Sequence, residues 1–200
     1  MRTLILLSVL LIGFTACKKD ESDPDDSTAI DLDSYHIAFK LDGVDKSLVP
    51  GATAGDFTWT SGTPDEFDPP SESTDGSYAG GFESATEYMD IENNFAYVNG
   101  DYVADRQGTM EANFATGTYV YESSTSASGI EITYVGPDGS YTTKDGSQSG
   151  SSFTISELIS VDTGALAELI AKGTFSCKFY DTSGSSYDVT EGTFYVRFEM

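Results

Sequence analysis

Residues 173–198, GTFSCKFYDTSGSSYDVTEGTFYVRF, alternate apolar and polar side chains twice, once on each side of a turn. Phe175, Cys177 and Phe179 share one face of an extended chain, and Asp181 to Ser186 (DTSGSS) carries the turn chemistry. Tyr187 and Val189 restart the alternation. Phe194, Val196 and Phe198 close it, with Thr193, Tyr195 and Arg197 facing the other way. Successive side chains on a strand point to opposite faces, so one apolar set at a period of two predicts an antiparallel sheet buried on one side.

The same signal recurs upstream. Tyr35, Ile37, Phe39 and Leu41 alternate with His36, Ala38 and Lys40; Asp42-Gly43 then offers a tight turn, and Val44 to Val49 returns as far as Pro50-Gly51. Phe57-Thr58-Trp59-Thr60 is a short alternating strand. Ile130 to Tyr134 runs into the turn Gly136-Pro137-Asp138-Gly139, Tyr141 resumes, and Phe153-Thr154-Ile155 opens another strand. The expectation over 34–200 is all-β: an antiparallel β-sandwich, or a partly open barrel, of roughly ten short strands. Residues 165–172 (ALAELIAK) read two ways, as a helix capped by Asp162-Thr163 or as the start of a strand running into Phe175. The all-β surroundings tip the reading to strand. Residues 61–80, rich in acid, Pro, Ser and Gly, read as a long loop.

Charge excludes whole classes of partner. The 200 residues hold 33 Asp and Glu against 10 Lys and Arg, a net charge of −23. Nucleic acid is bound through basic surface, as are anionic lipid head groups, so neither is expected as a partner. The N-terminus points to a membrane by another route. Arg2 is followed by an apolar run of 11 residues, Leu4 to Phe14. That suits a cleaved leader over 1–16 and falls well short of the roughly 20 residues that span a bilayer. Residues 17–33 then carry Asp20, Glu21, Asp23, Asp25, Asp26, Asp31 and Asp33 with almost nothing apolar, the composition of a solvated tether.

Phe14-Thr15-Ala16-Cys17 resembles a bacterial lipobox, with Phe14 in place of the usual aliphatic residue. The resemblance implies that Cys17 becomes the lipidated first residue of the mature chain, anchored in the outer membrane. Cys17-Lys18-Lys19-Asp20-Glu21 is similar to the charged export signal of surface lipoproteins of Bacteroidota, although charged tethers also occur on periplasm-facing ones. Residues 173–198, with Phe39-Lys40-Leu41-Asp42-Gly43 and Gly117-Thr118-Tyr119, resemble a family of small all-β Bacteroidota lipoproteins of unknown function. The likeness covers the two ends of the domain and omits residues 61–110. It implies fold and location and carries no activity.

Catalytic chemistry finds little support. His36 is the only histidine, lies mid-strand in the polar phase, and has no Gly-x-Ser-x-Gly elbow to serve. One histidine and one remaining cysteine cannot supply a usual zinc set. With Cys17 lipidated, Cys177 has no disulfide partner and reads as a small buried hydrophobe. No phosphate-cradling glycine motif is present. The expectation is a non-enzymatic binding or accessory module, its ligand a glycan or an envelope protein. A carboxylate-dependent glycan hydrolase and a purely structural envelope protein are the alternatives. Candidate calcium ligands are Asp65, Asp68 and Glu72, with Glu66 and Asp75 beside them, since oxygen ligands on a flexible loop suit a hard cation. Candidate ligand-stacking residues are Trp59 and Tyr78, at the sheet end that carries this loop.

Overall fold

Apolar alternation at Tyr35, Ile37, Phe39 and Leu41 becomes the buried edge of β1 (His36–Leu41), and Asp42-Gly43 turns it into β2 (Val44–Leu48). Both turn residues adopt positive φ, 48° at Asp42 and 81° at Gly43. That is the requirement of a two-residue hairpin loop, and it is the reason for Asp-Gly here. The structure is a computed structural model, and it describes residues 35–50, 58–61, 75–96, 106–123, 128–162 and 167–199. All belong to one compact unit, Asp31–Met200.

The remaining elements are β3 (Thr58–Ser61), β4 (Asp75–Glu83), β5 (Tyr88–Ala96), α1 (Arg106–Asn113), β6 (Gly117–Tyr119), β7 (Gly129–Gly136), β8 (Gly139–Thr142), β9 (Ser152–Asp162), β10 (Ala167–Asp181) and β11 (Ser186–Glu199). The all-β expectation holds. The strands form one antiparallel sheet in the order β2-β1-β11-β10-β8-β7-β5-β4-β3, with β9 against β10 and β6 against β9. Strand β10 is the branch point. Its residues Ala167 to Ser176 pair with β9, whereas Tyr180 and Asp181 pair with β8. At that corner the sheet curls into a half-barrel whose two walls share one core.

Two points differ from the short-strand expectation. Strands β10 and β11 run 15 and 14 residues. They can do so because irregularities at Phe175/Cys177 against β11 and at Lys172/Gly173 against β9 let long strands bend. Strand β4 begins at Asp75, so the expected loop over 61–80 gives way to pairing before Tyr78. Within 165–172 the strand reading prevails from Ala167 onward, with Leu169 and Ala171 on the inner face of β10.

The inner face is aromatic. Phe175, Cys177, Phe179, Phe194, Val196 and Phe198 are all buried, as the period of two predicts. Phe39 from one wall meets Tyr134 from the other, edge to face at 5.4 Å, and Phe194 stacks on Phe153 at 4.9 Å. Each fully buried phenylalanine contributes about 1.5–3 kcal/mol. The walls come so close at Gly80 on β4 that a Cβ there would strike the carbonyl of Arg197 on β11. Helix α1 packs on the core: its Met110 and the following Phe114 are buried, and the Phe114 ring centroid lies 4.7 Å from that of Phe198. No helix among the described residues is long and apolar enough to cross a membrane.

Candidate functional site

Among the described residues the inner face is filled by the core, and the outward faces carry two polar constellations. On the wall built from β1, β11, β10 and β9, register pairing sets His36 opposite Tyr195, Tyr195 opposite Lys172, and Lys172 opposite Glu157. Four residues spread over 160 positions of sequence thus form one transverse row (His36 to Tyr195 alone is a gap of 159). Tyr195 is half-buried and braced by the buried Tyr35, stacked on it at 4.6 Å and 10°. The Lys172 ammonium stands 5.9 Å from the Tyr195 ring centroid and 3.8 Å from the Glu157 carboxylate. Around this row opens a cleft of about 590 Å³, walled also by Ser47 of β2 and by Val49 just beyond it.

The next row toward the β10–β11 turn is a line of hydroxyls. Ala38 pairs with Thr193, Thr193 with Thr174, Thr174 with Thr154, and Thr154 with Thr118. Thr118, Thr174 and Thr193 are exposed and Thr154 half-buried. The Thr118 and Thr154 hydroxyls lie 3.5 Å apart. One row further, the Ser152 and Ser176 hydroxyls lie 3.1 Å apart. Bases are concentrated here too: Lys40, Lys172, Lys178 and Arg197 are four of the chain's ten Lys and Arg. Lys40 is paired with Glu191 at 2.7 Å and Lys178 with Asp188 at 2.5 Å, each carboxylate holding its ammonium protonated to higher pH than usual. Three of these four cations, Lys40, Lys172 and Lys178, thus have a carboxylate within 4 Å, on a protein of net charge −23.

A second constellation lies on the outward face of the other wall. Glu92 on β5 stands opposite Glu131 on β7. Lys144 reaches Glu131 at 3.3 Å and Glu122 at 2.8 Å, and Asn94 donates to Glu122 at 2.5 Å. Thr142 donates to Glu131 at 3.0 Å. Burial first, and then the charges of Asp90, Glu131 and Glu122, push the Glu92 carboxyl up to about 7. A carboxylic acid tuned to that range can hold a proton at neutral pH and hand it on.

The sequence-derived candidates fare unevenly. Cys17, Asp65, Glu66, Asp68 and Glu72 lie outside the described residues. Asp75 opens β4 opposite Ala96, and Trp59 sits on edge strand β3 at the register position opposite Phe82. Tyr78 is a correction. It is fully buried, stacked on Phe95 at 4.9 Å and next to Phe114 at 5.8 Å, so its ring belongs to the core and offers no face to a ligand. His36 is half-buried on the outward face. Cys177 is buried, and burial pushes its thiol up to about 12, which makes it inert as a nucleophile. Among the described residues, no three of His, Cys, Asp and Glu gather to hold a metal ion. Sequence reading missed the cross-strand row, because only the register brings its members together. Comparison with known proteins yields no match, whether by family model, curated protein or solved structure.

Proposed function

We propose that this chain is a lipid-anchored protein of the bacterial outer membrane, held through Cys17 and a solvated acidic tether, whose β-domain is a non-enzymatic binding module. The observation that carries the binding reading is the cleft at His36, Tyr195, Lys172 and Glu157 on the outward sheet face. It combines a braced aromatic ring with a donor and an acceptor on rigid strands, the composition of a recognition site. The test is binding of the full-length chain, in detergent micelles, to an array of glycans and to envelope protein fractions. Tyr195→Ala with Lys172→Ala should remove the signal, and the outward Val135→Ala on the other wall should leave it intact. Equal signal from the cleft variant and wild type would refute the site.

A second reading, a carboxylate-dependent glycan hydrolase, is favoured by one observation: Glu92, raised to about 7, faces Glu131 across the β5–β7 ladder. Glycosidases use such a pair, one acid and one base or nucleophile. Reducing-end release from polysaccharide substrates that disappears in Glu92→Gln would establish it in place of the binding reading.

A further inference from the structure

Resting on the reading of this face as the binding site, we propose that its ligand is an extended, uncharged polysaccharide laid across the strands. The chain would lie along the two parallel rows, held on one side by Tyr195, Lys172 and Glu157 at the cleft and on the other by Thr193, Thr174 and Thr154. Three observations select that chemistry. First, Lys172 and Glu157 stand 3.8 Å apart, each about half exposed. A donor and an acceptor side by side match the neighbouring hydroxyls of a sugar, whereas the balanced pair penalises any ligand of net charge. A polyanion would also meet the field of a protein at −23. Second, the half-buried Tyr195 ring is held in place by Tyr35, and a fixed aromatic surface suits the apolar face of a pyranose. Third, the threonines lie in one register across β11, β10 and β9. Neighbouring strands run roughly 4.8 Å apart, so the hydroxyls repeat at an even step perpendicular to the strands. An even row of hydroxyls is complementary to a chain of repeating polar units. A protein partner would be expected to meet a more apolar centre.

The experiment is calorimetry on the full-length chain in detergent micelles, with four probes: a soluble neutral glucan, a neutral mannan, polygalacturonate and dextran sulfate. Neutral oligosaccharides of graded length complete the set. At least one neutral polysaccharide should bind, with affinity rising with oligosaccharide length until the row is spanned and level beyond it. Thr174→Val with Thr193→Val keeps the β-branched shape and removes two hydroxyls, and should weaken binding by about tenfold or more. Circular dichroism confirms that this variant is folded. Failure of both neutral polymers to bind, or tighter binding of either polyanion, overturns the proposal. Polyanion binding abolished by Tyr195→Ala would sink the ligand class and leave the face standing. Neutral binding indifferent to Tyr195→Ala and to the valine pair would sink the face itself.

Discussion

Glu92 and Glu131 stand directly opposite each other on β5 and β7, a like-charge pair in a position where sheets ordinarily avoid one. The arrangement persists because Lys144 and Thr142 hold Glu131, and because Glu92, half-buried, keeps its proton up to about 7.

Glu92 should therefore make stability depend on pH in a stated direction. Its carboxyl moves from an ordinary 4.5 to about 7 in the fold, through burial and then through Asp90, Glu131 and Glu122, with Lys144 opposing. Between those values the folded chain keeps a proton that the unfolded chain releases. Stability should fall as pH rises through the window and level off above it. Denaturant midpoints measured across it should show this fall, and Glu92→Gln should flatten it. A wild-type midpoint that rises steadily over the same range would show that Glu92 does not dominate the titration.

Lys144 has the opposite role, as the cation shared by Glu122 and Glu131. Glu122 is only 5% exposed, so losing Lys144 leaves a nearly buried carboxylate with Asn94 as its remaining partner. Lys144→Met should cost roughly 1–3 kcal/mol, the penalty for a buried group left short of partners. Adding Glu122→Gln should recover part of it. Urea denaturation of the two variants measures both numbers, and a double variant no better than the single one would locate the loss elsewhere.

Phe194 is fully buried and stacked on Phe153, on the face where Phe175 also approaches at 6.4 Å. Phe194→Ala should cost about 3–5 kcal/mol. An unchanged denaturation midpoint would place this ring outside the core.

These core positions were legible because period-two alternation is local: Phe175 to Phe179 and Phe194 to Phe198 each report their own face. The Asp42-Gly43 hairpin was legible for the same reason. Strand β4 was not, since Tyr78-Ala79-Gly80-Gly81-Phe82 pairs two large rings with glycines of low strand propensity. Gly80 is explained only by the approach of Arg197 from another strand. Helix α1 (RQGTMEAN) has a glycine in its middle and no sequence signal strong enough to announce it. It is held instead by Met110 and Phe114 entering the core and by Asn93 donating to the Asn113 carbonyl at 3.0 Å. Of the site, His36 and Glu157 could be named from sequence only as polar strand residues. Their alignment with Tyr195 and Lys172 is a property of long-range register.

Anchoring is tested at Cys17. Cys17→Ser should move the mature protein from the membrane fraction to the soluble one and abolish metabolic labelling by palmitate. Palmitate incorporation equal to wild type would remove Cys17 as the acceptor.

Residue-by-residue mapping of the bound ligand decides between the two outward faces. Amide hydrogen exchange on the full-length chain, with and without a saturating neutral polysaccharide, should show new protection at Thr154, Thr174, Thr193 and Tyr195, with β5 and β7 unchanged. Protection confined to the strands carrying Glu92 and Glu131 would contradict the binding-face reading and point to the carboxylate pair instead.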